Sequence, residues 1–233
     1  FPEVLAFRDA FVNELGVKLV VGSVQEAIDN GEIQEQTGKY ASRNTLQTHV
    51  LLKTIGQYGF DACIGGARRD EEKARAKERF FSVRNDFGQW DVKRQRPELF
   101  DMLNGKIREG ENVRVFPISD WTELDVWNYI GQEHLEVPNI YFAHVRPTFV
   151  RDNLIWPVSD CVPLLPGEST SMREVRFRTV GDMSCSAAIE SGAATVDEII
   201  SETVNAQTSE RGARIDDKWS EAAMELRKAQ GYF

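Results

Sequence analysis

Residues 44–79 restrict the fold more than any other stretch. A helical repeat from about Asn44 to Gln57, with Leu46, Val50, Leu51, Leu52 and Ile55 on its inner side, runs almost directly into the apolar segment Phe60–Ile64. That segment reads as a strand, ends in Gly65-Gly66, and is followed at once by Ala67-Arg68-Arg69-Asp70-Glu71-Glu72-Lys73-Ala74-Arg75-Ala76-Lys77-Glu78-Arg79. Helices and strands alternating through such short connections predict a parallel sheet covered by helices. In open sheets of that kind ligands sit beyond the carboxyl ends of the strands, which is where the two glycines fall. Residues 68–79 hold six cations against four acids, inside a chain of formal charge −9. Bare backbone N–H groups followed by guanidinium and ammonium groups suit an oxyanion. The segment therefore predicts a phosphate or sulfate site built from Gly65, Gly66, Arg68, Arg69, Lys73, Arg75, Lys77 and Arg79. Its plainer reading is a solvated helix, since Glu71 and Arg75 stand four apart in the helix-stabilising order.

The elements around it follow from periodicity. Val4, Leu5, Phe7, Phe11, Val12 and Leu15 recur at helical spacing behind Pro2, and Gly16 stops the helix. Val17–Val21 reads as a short buried strand, and Ser23 with Glu26 as the start of a capped helix. Residues 30–43 read as a loop, residues 80–103 show no clear period, and Val113–Pro117 reads as a strand. Asp120–Ile130 predicts a helix with Leu124, Trp127 and Ile130 on one face and acids in its first turn. Val145–Val150 and Leu154–Val158 predict a hairpin across Asp152-Asn153. Val175–Thr179 alternates like a strand, which would put Arg176 and Arg178 on one face, able to grip a single anion. Arg94 and Arg96 form another close pair. Helices are predicted near Val196–Val204 and Lys218–Ala229.

Composition excludes several classes. The acidic balance argues against a nucleic-acid binder, and no apolar run approaches the roughly 20 residues that span a bilayer. Cys63, Cys161 and Cys185 are widely spaced and odd in number, which suits a reduced, cytoplasmic protein without a disulfide frame. His49, His134 and His144 share no metal-ligand spacing, so no protein-bound metal is expected.

Gly65–Arg79, Gln95-Arg96-Pro97-Glu98-Leu99, Val113–Pro117, Trp121–Trp127, Arg176–Gly181, Ser209-Glu210-Arg211 and the closing Gln230-Gly231-Tyr232-Phe233 together resemble subunit 2 of sulfate adenylyltransferase, the small catalytic subunit of the two-subunit bacterial ATP sulfurylase. The resemblance spans essentially the whole chain. It implies an adenine nucleotide alpha hydrolase-like α/β fold: an open parallel sheet flanked by helices over residues 1–135, and an irregular, partner-binding C-terminal extension over residues 136–233. It further implies adenylyl transfer from ATP to sulfate, with magnesium on the ATP phosphates and a GTPase large subunit as partner. On this reading Arg68, Arg69 and Lys73 are catalytic, while Gly65, Gly66, Arg75, Lys77, Arg79, Arg96, Arg176 and Arg178 bind phosphate or sulfate. The family's phosphate loop, of the Ser-x-Gly-Lys-Asp-Ser kind, has no counterpart here. Phe1–Val4 aligns just after the family's second strand, so the chain reads as truncated at its front, without the first strand. Little or no adenylyl transfer by this polypeptide is accordingly expected. The Trp-rich helix is shared with phosphoadenosine phosphosulfate reductases, which are the alternative enzyme class. A non-catalytic interaction module is the alternative outside enzymes.

Overall fold

The helix–strand passage at residues 44–66 takes shape in the computed structural model, which describes residues 1–35, 43, 46–71, 79–85, 87–90 and 107–206. Those residues fall into two units. One contains the described residues of 22–35 and 46–122, and the other contains 1–21, 43 and 123–206.

The first unit is built on a small mixed sheet. Helix α2 (Val24–Asp29) starts where Ser23 Oγ accepts from the Glu26 N–H at 3.1 Å. Helix α3 (Gln47–Tyr58) ends at Gly59, whose φ of 64° closes the last turn in the left-handed region that glycine enters freely. Strands β1 (Ala62–Ile64), β2 (Phe81–Arg84) and β3 (Asn112–Val115) lie in the order β1-β3-β2. β1 and β3 are parallel with Cys63 opposite Arg114, and β2 joins antiparallel with Ser82 opposite Arg114. The parallel pair is what the short helix–strand connections predict. β2 comes from a stretch without a clear period, because four residues ending in arginine offer too few alternations to read. Ala27, Ile55, Val83, Val113 and Phe116 are the buried apolar residues among the described residues of this unit.

The second unit opens with α1 (Pro2–Leu15), which Gly16 ends at φ 63°. Phe1 and Val4 at its start pack on Ile140, Val175, Phe177 and Ala188. Helix α4 (Glu123–Gln132) precedes a four-stranded antiparallel sheet ordered β5-β4-β6-β7: β4 (His144–Arg151), β5 (Leu154–Pro157), β6 (Ser171–Arg176) and β7 (Ile189–Glu190). The β4–β5 hairpin turns where predicted: Asp152 and Asn153 have φ of 52° and 59°, the pair of left-handed residues that matches strand twist in a two-residue turn. Helix α5 (Val196–Val204) spans the predicted residues and begins with a complete capping box between Thr195 and Glu198. Trp127 and Ile130 of α4 pack with Ala193 and Ile199, while Leu124 is only half-buried.

Two strand expectations differ from the fold. Val17–Val21 forms no strand, and Val17, Leu19 and Val21 are 54%, 40% and 60% exposed. β-branched residues favour a strand only when a neighbouring edge receives them, and no ladder among the described residues does so. β6 stops at Arg176, which leaves Arg178 beyond the strand. The helix expected at Lys218–Ala229 and most of the charged segment lie outside the described residues.

Candidate anion-binding site

Parallel pairing brings the carboxyl ends of β1 and β3 side by side, and the loops leaving them are laced together. Gly65 N–H donates to the Val115 carbonyl at 2.9 Å, and Arg69 N–H donates to the Ser119 carbonyl at 2.8 Å. The Arg69 side chain reinforces the lacing, donating from Nε to Ser119 Oγ at 3.3 Å. Its guanidinium lies 5.7 Å from the centre of the Phe80 ring. Arg68 points inward: it is 7% exposed, and its Nη1 sits 3.8 Å from Glu71 Oε1, a carboxylate that also accepts from the Arg68 N–H at 3.2 Å. Burying a guanidinium is costly unless charge and hydrogen bonds compensate it. Glu71 supplies part of that compensation for Arg68.

The backbone conformation does not demand glycine at either position of the turn. Neither Gly65 nor Gly66 takes a positive φ, and a Cβ built on Gly66 would meet only Ile118 Cδ1, at an ordinary 3.9 Å. The fold itself therefore tolerates a side chain at Gly66.

Behind this turn the sheet hides two further arginines that alternation alone does not reveal. Arg84 and Arg114 are fully buried, on the sheet face that also carries Cys63, Ser82 and Asn112. Arg114 Nη1 donates to Asn112 Oδ1 at 2.6 Å. Burial pushes the Arg114 guanidinium below its ordinary range, and the neighbouring Cys63 opposes that shift. In the sequence, arginine between valines reads as the solvent face of a half-buried strand; here the polar face is covered as well.

Arg79 is exposed. Lys73, Arg75, Lys77 and Arg96 lie outside the described residues. Arg176 and Arg178 belong to the second unit, and each is held by an acid. Arg176, fully buried, donates to Glu202 Oε1 from Nε at 3.0 Å and from Nη2 at 2.5 Å. Ser191 Oγ donates to the second Glu202 oxygen. Burial alone would raise the Glu202 carboxyl, but the bonds from Arg176 and Ser191 outweigh it and hold the group below the usual carboxylate range. Arg178 donates from Nε to Glu123 Oε1 at 3.1 Å and from Nη2 to Glu123 Oε2, both side chains being buried. Each guanidinium thus has a carboxylate partner, at a sequence separation of 26 for Arg176 and 55 for Arg178. Among the described residues no group of histidine, cysteine and acidic side chains is arranged to hold a metal ion, and no helix is long and apolar enough to cross a membrane.

Comparison with known proteins gives the chain its relatives. The family model described as the phosphoadenosine phosphosulfate reductase domain matches residues 1–188. Sulfate adenylyltransferase subunit 2 of Streptomyces lavendulae is 54% identical over 234 aligned residues, covering all of this chain and 73% of that protein. The proteins of the same name from Mycobacterium sp. strain JLS and Mycobacterium tuberculosis strain ATCC 25177 / H37Ra are each 54% identical, again over the whole chain and over 75% of their own length.

Proposed function

We propose that this chain, which belongs to the sulfate adenylyltransferase subunit 2 family, represents the catalytic small subunit of the enzyme that transfers the adenylyl group of ATP to sulfate, giving adenosine 5′-phosphosulfate and pyrophosphate. A sulfate oxygen attacks the α-phosphorus, the bond from that phosphorus to the bridging oxygen breaks, and pyrophosphate leaves with the electron pair. Nucleophile and electrophile are both anionic, so the protein's main work is to hold them together and to neutralise charge as it moves to the leaving group. No protein proton is needed. Arg68 and Arg69 supply fixed positive charge beside the glycine turn, and Ser119 keeps Arg69 in place. Lys73 joins the two arginines in the catalytic set, with Arg75, Lys77, Arg79 and Arg96 as further phosphate contacts. Arg176 and Arg178 carry no anion in this proposal, because Glu202 and Glu123 already take their forks. Magnesium arrives with ATP as part of the substrate. The reaction runs uphill, and a companion GTPase subunit drives it, in the cytoplasm. Residues 1–135 carry the nucleotide layer, and residues 136–233 contribute to contacts with that companion.

The observation that carries this reading is the inward Arg68 beside a bare glycine turn at the carboxyl ends of two parallel strands, in a chain 54% identical to the Streptomyces lavendulae subunit. Calorimetric titration with pyrophosphate and with adenosine 5′-phosphosulfate tests it. Saturable binding of both is expected, weakened at least tenfold by Arg68→Ala and by Arg69→Ala. Failure of the unmodified chain to bind either ligand, or undiminished binding by both variants, overturns the assignment. A reductase, the other activity compatible with the matched domain, requires a reactive thiolate, and titration of the three thiols at neutral pH distinguishes it.

A further inference from the structure

The first unit has a recess at the end of its sheet opposite the glycine turn. Phe60 and Asp61 lead into β1, Glu111 leads into β3, Phe87 follows β2, and Leu52 and Ile55 come from α3; together they line a cleft of about 340 Å3. β1 and β3 are parallel, so this is the amino end of both strands, whereas Gly65 and Ser119 follow the carboxyl ends. At about 3.3 Å of rise per residue, even short strands keep the two places roughly 10 Å apart. A group seated in the cleft leaves the anion site open.

The character of the cleft selects its occupant. Phe87 is 77% exposed, Phe60 is 43% exposed, and Tyr58, stacked on Phe60 at 5.6 Å between centroids, is 42% exposed. Aromatic surface grouped in this way marks a contact face. The exposed Asp61 and the half-buried Glu111, whose Oε2 already accepts from the Arg108 N–H at 3.0 Å, both line the recess, and its described lining includes no lysine or arginine. Those acids disfavour a phosphate-bearing ligand and attract a cation. A guanidinium satisfies both features: it lies flat on aromatic faces and presents a fork of donors to carboxylates. Arginine packed beside an apolar side chain is also a common anchor at protein interfaces.

We infer that the cleft seats an arginine of the companion subunit, flanked by an apolar residue that covers Phe87. The inference rests on the proposed function, in which this chain works as one subunit of two. The test uses the full chain and the GTPase subunit encoded in the same genome, titrated against each other by calorimetry at 0.15 M salt. Asp61→Lys is expected to weaken binding at least tenfold and Phe87→Ala at least fivefold, with melting temperatures unchanged. Asp29→Lys, the same charge change on the exposed face of α2, is expected to leave binding within twofold. If the unmodified chain binds and neither Asp61→Lys nor Phe87→Ala weakens it, the cleft assignment fails while the two-subunit reading stands. If Asp29→Lys weakens binding as much as Asp61→Lys, a general field and not a seat is responsible, and the cleft assignment again fails. If the unmodified chain does not bind the GTPase subunit, the two-subunit reading falls and the cleft assignment falls with it.

Discussion

Replacing Glu202 with alanine should expose how much of the second unit depends on one buried charge. Arg176 is completely enclosed, and its Nε and Nη2 both donate to Glu202 Oε1. Removing the carboxylate leaves the guanidinium charged and buried, because arginine does not deprotonate at any ordinary pH. Breaking a buried pair in this way costs about 3–5 kcal/mol. The Glu202 side chain is 34% exposed, so water partly enters the space left behind, and the loss should lie near the lower limit, about 3 kcal/mol. At about 2–4 °C per kcal/mol for a chain of this size, the melting temperature should fall by about 6–12 °C, measured by circular dichroism at pH 7. Adding Arg176→Met to Glu202→Ala should recover most of that loss, since an apolar side chain of similar length no longer needs a counter-charge. The sign of the pH dependence is fixed as well. Glu202 is held below its ordinary value of 4.5, so its contribution is complete above that value and is lost as pH falls through the folded-state value. The deficit of Glu202→Ala relative to the unmodified chain should shrink in that acid range. A loss below about 1 kcal/mol at pH 7, or a double variant no more stable than Glu202→Ala, would refute the reasoning.

Two smaller tests address the caps and turns. Thr195→Ala removes the oxygen that accepts from the Glu198 N–H at 3.3 Å, and should lower stability by about 1 kcal/mol in urea titration; an unchanged midpoint would show that α5 does not depend on its cap. Gly88→Ala places a side chain at φ 74° with its Cβ 2.4 Å from Leu52 Cδ2. Leu52 can swing aside, so the conformational strain dominates and a loss of about 1–2 kcal/mol is expected by the same titration, against none if the turn relaxes to negative φ.

Local chemistry wrote the legible parts of this fold. Gly16 ending α1, Ser23 opening α2, the Asp152-Asn153 turn and the span of α5 each depend on residues within a few positions of one another. Of the candidate site, the strand that runs into Gly65 and Gly66 was legible from its apolar run, whereas the burial of Arg68 beside Glu71 was not. Illegible were the interactions that only tertiary packing creates. Glu123 reads as an acid favouring a helix start, yet it is buried against Arg178. Arg176 reads as an anion-binding strand residue until Glu202 is brought to it from α5. Arg84 and Arg114 stay invisible because alternation tells which residues share a face and not whether that face is covered. Ser119 carries no motif, and its role arises from the parallel pairing of β1 with β3.

The Arg176–Glu202 bond also determines how β6 and α5 can move. Apolar contacts carry no preferred direction, so small shifts between two elements are resisted less specifically by them than by a directed bond. A forked donor closed on a single oxygen permits no such drift. α5 therefore behaves as a latch rather than a spring: it stays seated under small pushes, and any event that shifts it must first overcome a threshold set by one enclosed charge.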